Sequence, residues 1–303
     1  MDDPGHRKIH QQPVPLAGGL AVATGLLLPT ALASLALSWR VSKEWLHATL
    51  LGANAADPVF LLKYGLNRRA LELTGILAGA LGMLALGWLD DKRELRPQPK
   101  FIGQFLVAFL VAASGARISL FIPSVVFHYA ITMLWILTVV NAFNFMDNMN
   151  GLCTGLGTIG AWYFATIAAA QGQYLVGLIG FLIFGALAGF LPFNFPNARA
   201  FLGDAGSHLV GYLLAVLAIL PHFYTAHHPR RWAVLIPLLV LAIPLMDLVW
   251  VVILRWRMGV PFYVGDNNHL SHRLVRSGLT PAAAVVVIWI LAAAAGGLSY
   301  LWL

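Results

Sequence analysis

Apolar runs of about 16 to 24 residues recur from Leu16 to the C-terminus, each long enough to cross roughly 30 Å of hydrocarbon as a helix. Read by these runs, the chain has nine spans, at 16–38, 71–89, 101–115, 126–143, 153–170, 174–192, 206–221, 232–254 and 281–302. Stretches such as Ala80 to Leu86 and Val285 to Ala295 are apolar at every phase. That excludes a membrane barrel, whose strands alternate outward and inward residues. The expectation is therefore an all-α, polytopic transmembrane bundle forming one membrane domain over residues 1–303. Residues 39–70 break the pattern with Arg40, Lys43, Lys63, Arg68 and Arg69 around Asp57 and Pro58, and read as an extramembrane segment with an interfacial helix. Residues 1–15 are polar and carry no signal-peptide pattern, so the first span is expected to be kept.

Nine crossings put the N-terminal tail and the segments near 90–100, 144–152, 193–205 and 255–280 on one side. Nearly every polar cluster falls in those five. The same side holds eleven of the 19 basic residues: Arg7, Lys8, Lys92, Arg93, Arg96, Lys100, Arg199, Arg255, Arg257, Arg273 and Arg276. The excess places these loops in the cytoplasm. Composition agrees, at 59% hydrophobic and 10% charged, well below the charged content of ordinary soluble domains. The net charge of +7 therefore reflects flanks of membrane spans and does not call for nucleic acid. A single cysteine, Cys153, rules out an intrachain disulfide or a cysteine-rich zinc site. Gly155, Gly157 and Gly160 spell G-x-G-x-x-G without a preceding strand, and read as helix packing.

Each polar cluster has a bland reading and a chemical one. The tail offers Arg7, Lys8 and His10, either flanking charge or a phosphate contact. Asp90 and Asp91 sit side by side at a span end, with Lys100 ten positions beyond Asp90; adjacent carboxylates at an interface repel unless a cation neutralises them. Asn141, Asn144, Asp147, Asn148 and Asn150 crowd five short polar side chains before Gly151, and such oxygens suit Mg²⁺. Asp204 lies between Gly203 and Ala205-Gly206 at a helix start, as an N-cap or an anion-site residue. The segment from Asp266 to Arg273 adds His269, His272 and Arg273. Asp247, inside a span, is either functional or paired with a polar neighbour.

These clusters, in this order, resemble the polyprenyl-phosphate N-acetylhexosamine-1-phosphate transferase family, glycosyltransferase family 4. That family includes the bacterial undecaprenyl-phosphate GlcNAc-1-phosphate transferases and phospho-MurNAc-pentapeptide translocase. The tail is similar to the family's R-K-x-H…P-x-P…G-G opening, Asp90-Asp91 to its D-D motif, and Asn144 to Leu152 to N-x-x-D-G-x-D-G-L. Phe201 to Ser207 resembles F-x-G-D-x-G-S, and His269 to Arg273 resembles H-x-H-H-R.

The resemblance implies transfer of a sugar-1-phosphate from a UDP-sugar to undecaprenyl phosphate, with release of UMP, as a first membrane step of cell-envelope or lipopolysaccharide glycan synthesis. It implies Mg²⁺, with Mn²⁺ as a substitute, held by Asn144 and Asp204. Asp90, Asp91, Lys100 and Asp147 form the implied catalytic set, Lys100 neutralising the diphosphate. Lys8, His10, Asn150, His269, His272 and Arg273 form the substrate-binding set. The partners are the two substrates and membrane lipid, and a homodimer is compatible with the family.

Three departures stand out. Members carry a span before the R-K-x-H loop, on which this chain opens, so the first family span is expected to be missing. Asn148 and Asn150 stand where Gly and Asp are usual, and Ser271 replaces the middle His, which argues against the translocase. The competing readings are that translocase and a polytopic transporter of a small anionic solute.

Overall fold

The computed structural model describes residues 14–38, 65–223, 230–261, 263–264 and 266–303. Lys8 and His10 lie outside the described residues, as does most of the 39–70 segment with its expected interfacial helix. Among the described residues the chain is helical, and the extended pairing consists of an isolated bridge between Leu16 and Phe201.

The long helices are α1 (Gly18–Ser38), α2 (Ala70–Arg93), α3 (Pro97–Ser114), α4 (Val125–Met146), α5 (Leu152–Ala170), α6 (Tyr174–Asn194) and α7 (Gly203–Ile219). Then follow a 3₁₀ turn (Arg231–Leu235), α8 (Ile236–Val240), α9 (Ala242–Arg257), α10 (Leu270–Arg276) and α11 (Pro281–Leu298). Local chemistry sets several ends. Ser124 accepts from Phe127 N at 3.3 Å to start α4, and Thr280 accepts from Ala283 N at 3.2 Å to start α11, whose first residue is Pro281.

Among the described residues, six helices are long and apolar enough to cross a membrane: those over α1, α2, α4, α5, α6 and α11. The α8–α9 pair makes a seventh if its 72° bend is counted inside one span. This is fewer than the nine read from sequence, for three separate reasons. Helix α3 begins Pro97-Gln98-Pro99-Lys100 and carries Gln104, which lowers its hydropathy. Helix α7 has 17 residues, about 25 Å at ~1.5 Å each. The run at 232–254 breaks at Leu241, because Pro244 has no N–H to give to the carbonyl of Val240 four residues back.

Helix α7 is the axis of the packing. Val210, Tyr212, Leu214, Ala215 and Leu217 are fully buried or nearly so, and the helix packs against α1, α2, α4 and α5. Its approach to α2 is closest at Gly87, where a Cβ would strike the carbonyl of Asp204, and at Gly79, where it would strike the Tyr212 ring. The two helices run antiparallel over their length. At one end Asp91 of α2 bonds the first turn of α7, and at the other Arg69 Nη2 lies 3.1 Å from His222 Nε2. Helix α3 likewise spans α2, from the Lys100–Asp90 ion pair at one end to contact of Ser114 with Gly75 at the other.

Candidate active site

At the end of the bundle where α2, α4 and α6 finish and α3, α5, α7 and α11 begin, the helix ends surround an open cavity of about 1280 Å³. The D-D pair belongs to the last helical turns of α2 and not to the loop beyond it. Asp90 is 6% exposed; its Oδ1 accepts from Leu95 N at 2.8 Å and its Oδ2 lies 2.6 Å from Lys100 Nζ. The tight α2–α3 link, closed by Glu94 at φ +46°, brings Lys100 on the first turn of α3 back over Asp90.

Asp91 points the other way. Its two oxygens accept from the backbone N–H groups of Asp204 at 2.7 Å and Ala205 at 3.0 Å, so a carboxylate from α2 satisfies the start of α7. Gly203 makes this possible, with φ +71° and a hydrogen where a Cβ would sit 2.9 Å from Asp91 Oδ2. That cap presents the Asp204 side chain to the cavity. Its Oδ1 accepts from Asn144 Nδ2, which also bonds Ser207 Oγ at 3.0 Å, and lies 3.7 Å from Lys100 Nζ. The Lys100 ammonium also reaches Asn144 Oδ1 at 3.4 Å. One cation thus faces oxygens of Asp90, Asn144 and Asp204.

Asp147, just past α4, lines the same cavity. Burial first, and then the negative charges of Asp204 and Asp91, push its carboxyl up to about 8. A carboxyl raised by burial and by two neighbouring carboxylates is where added positive charge would be welcomed. Asn150 lines the cavity too, its Nδ2 donating to Pro196 O at 3.1 Å. Asn148 donates to Phe145 O at 2.7 Å and accepts from Ser271 Oγ at 2.7 Å.

The facing wall comes from α9, the segment after it and α10. Asp247, flagged from sequence as functional or paired, is paired: Oδ2 lies 2.7 Å from His269 Nδ1 and Oδ1 accepts from Leu270 N at 2.7 Å. It thereby holds the first turn of α10 onto α9. His272 lines the cavity, whereas His269 is buried behind it, edge-on to Phe145. Burial, His269 and Arg276 hold His272 below the usual histidine range. Arg273 lies outside the lining, its guanidinium 4.9 Å from the Trp250 ring centre.

Of the expected site residues, Asp90, Asp91, Lys100, Asn144, Asp147, Asn150, Asp204 and His272 therefore meet at one cavity, with His269 and Arg273 in its outer wall. Sequence reasoning passed over Arg255, 1% exposed with Nε donating to Asp266 Oδ2 at 3.0 Å. Burial raises the Asp266 carboxyl, but the Arg255 and Asn268 bonds outweigh it and hold the group below the usual range. The apolar run read from sequence ends at 254, which left Arg255 among loop residues, whereas the helix carries it in its last turn. It also passed over Asn194, which ties Gly151 N, Thr154 Oγ1 and Ala200 O together at 2.8 to 3.1 Å.

For Mg²⁺ the donor chemistry fits: Asn144 and Asp204 offer hard oxygens turned toward one cation, beside the further carboxylates Asp90, Asp91 and Asp147. No trio of His, Cys, Asp or Glu among the described residues could hold an ion by itself. An ion held by one Asn and one Asp would take its remaining ligands from water and substrate phosphate, as Mg²⁺ commonly does.

Residues 73–222 match the family model described as glycosyl transferase family 4. The chain is 30% identical to the decaprenyl-phosphate N-acetylglucosaminephosphotransferase of Mycobacterium leprae, over 95% of this chain and 73% of that protein. It is 28% identical to the probable undecaprenyl-phosphate N-acetylglucosaminyl 1-phosphate transferase of Bacillus subtilis, over 96% and 74%. The Escherichia coli K12 undecaprenyl-phosphate alpha-N-acetylglucosaminyl 1-phosphate transferase gives 26%, over 97% and 74%. The matched segment contains the acid and amide cluster from Asp90 to Asp204, and this chain belongs to glycosyl transferase family 4.

Proposed function

We propose that this protein transfers N-acetylglucosamine-1-phosphate, or a close N-acetylhexosamine analogue, from a UDP-sugar to undecaprenyl phosphate, releasing UMP. The observation that carries this reading is the convergence of Asp90, Lys100, Asn144 and Asp204 on one point of a cavity large enough for a nucleotide sugar. The reaction forms a bond from an oxygen of the lipid phosphate to the sugar-bearing phosphorus and breaks that phosphorus's bond to the bridging oxygen, which leaves with UMP.

Charge on that bridging oxygen is the main burden, and fixed positive groups relieve it. Lys100, held by Asp90 and aimed at Asp204, neutralises the diphosphate. Asn144 and Asp204 would hold Mg²⁺, which supplies Lewis-acid stabilisation of the same charge when bound. Asp91 fixes α7 and thereby aims Asp204. The lipid phosphate is already largely ionised near neutral pH, so no residue has to deprotonate it. Asp147 and Asp90 then act on orientation and charge balance. His272 and Asn150, on the cavity wall, contact sugar or phosphate; His269 and Arg273 support that wall, and Lys8 and His10 are the tail's candidates for a phosphate contact.

Three geometric facts support nine crossings, and the excess of basic residues on the side of the site favours the cytoplasmic face of the plasma membrane. Helices α3 and α7 each run the length of α2, itself of spanning length, and the α8–α9 pair is long enough when taken together. The acidic mid-span residue that a transporter would use, Asp247, is engaged by His269 and Leu270 beside the cavity. The test is UMP release from purified protein with undecaprenyl phosphate and a panel of UDP-sugars. Mg²⁺-dependent release with one donor, abolished by chelator, is expected; no release from any donor in folded protein overturns the reading.

A further inference from the structure

Two of this chain's departures from the family motifs touch each other. Asn148 stands where the motif has Gly, and Ser271 where it has His. The Ser271 hydroxyl donates to Asn148 Oδ1 at 2.7 Å, and the Asn148 amide donates onward to Phe145 O at 2.7 Å. Ser271 has no exposed surface, while Asn148 lines the cavity. The larger side chain on one element is thus matched by the smaller one on the other, with the bond filling the space between.

The bond joins the two halves of the site. Asn148 belongs to the short segment that carries Asp147 and follows Asn144, and Ser271 lies between His269 and His272 on α10. Phe145, which receives the Asn148 amide, also packs edge-on against His269 at 5.6 Å between ring centres and lies 5.0 Å from the Arg255 guanidinium. A polar pair with one partner fully buried fixes one spacing, because losing the other partner would leave the Ser271 hydroxyl without its bond.

We propose that Asn148 and Ser271 form a latch that sets the distance between the acid and amide half of the cavity and the His272 wall, and so positions the UDP-sugar. The latch is a positioning pair that acts through Asp147 and His272. It rests on the transferase reading above.

The test is a mutant cycle of Asn148→Gly, Ser271→His and the double variant, measured as Mg²⁺-dependent UMP release with donor and lipid varied separately. Ser271→His alone pushes an imidazole against Asn148 in a closed space and is expected to lower kcat/KM for the UDP-sugar by about tenfold or more. Asn148→Gly alone is expected to cost about three- to tenfold, the range of one net hydrogen bond. The double variant, which restores the motif pair, is expected within about threefold of the parent, with the changes in KM for the UDP-sugar and not for the lipid phosphate. Ser271→Thr, which keeps the hydroxyl, should retain activity.

Should Ser271→His not fold, as judged by elution and melting in detergent, Ser271→Ala with Asn148→Ala replaces it, and non-additive losses are again required. Losses that multiply in the double variant, or equal changes in KM for both substrates, overturn the latch. An inactive parent instead overturns the transferase reading, so the two failures are distinguishable.

Discussion

Lys100 sits between three acceptors, 2.6 Å from Asp90, 3.4 Å from Asn144 Oδ1 and 3.7 Å from Asp204. Such a charge acts on whatever anion enters, so Lys100→Ala is expected to raise KM for the UDP-sugar and to lower kcat/KM by about 10²-fold, in line with loss of one charge-stabilising group. An unchanged kcat/KM would remove Lys100 from the site. Asp204→Ala removes a proposed metal ligand and is expected to cost about 10²–10³-fold in kcat, while the protein still elutes as a folded species. A raised Mg²⁺ requirement in Asp204→Asn would trace the loss to metal affinity; near-normal turnover of the alanine variant would sink the assignment.

Elements position these residues through a few contacts whose legibility in the sequence differs. The runs at 71–89, 126–143, 153–170 and 174–192 became helices at nearly those bounds, because an apolar run flanked by polar residues has few alternatives. The polar ends were less legible. Asp90, Asp91 and Asn144 fall on helical turns and not in loops, since helices capped by one another can extend past the last apolar residue, whereas Asp204 sits at the helix start read from sequence. The Asp91 cap on α7 joins positions more than a hundred residues apart, which no local pattern encodes. Its counterpart is Gly87, whose missing side chain lets α2 reach the Asp204 carbonyl. Gly87→Ala is expected to destabilise by about 1–3 kcal/mol through overpacking and to lower activity by displacing Asp204; a melting temperature and kcat equal to the parent's would show that the two helices can part at no cost. The Asp247–His269 bond ties α9 to α10 in the same way. Asp247→Asn keeps the volume but cannot accept from both His269 Nδ1 and Leu270 N without losing a bond, so about a tenfold loss in kcat/KM is expected, and an unaltered donor KM would count against it.

For the whole molecule, helix α2 sets the scale, since 24 residues at ~1.5 Å each give about 36 Å, enough for the hydrocarbon layer with margin. The site lies at its C-terminal end, and the turn from Gln171 to Gln173 lies at the other, where Gln173 exchanges hydrogen bonds with His222 beside Arg69. Helices α3 and α7 fell short as isolated spans, yet each bridges these two ends: α7 is buried among its neighbours, whereas α3 turns Ile102, Phe105, Leu106 and Phe109 outward. The proposed nine crossings would put residues 197 and 172 on opposite faces, and the basic excess favours 197 inside. The single native Cys153 has no exposed surface, so it stays silent to an impermeant thiol reagent, and introduced cysteines can be read one at a time. In intact cells Gly172→Cys is expected to label and Asn197→Cys to label only after permeabilisation. Labelling of both in intact cells would mean that α6 does not carry the chain across, and labelling of Asn197→Cys alone would place the acid and amide cavity on the outer face, away from any nucleotide-sugar donor in the cytoplasm.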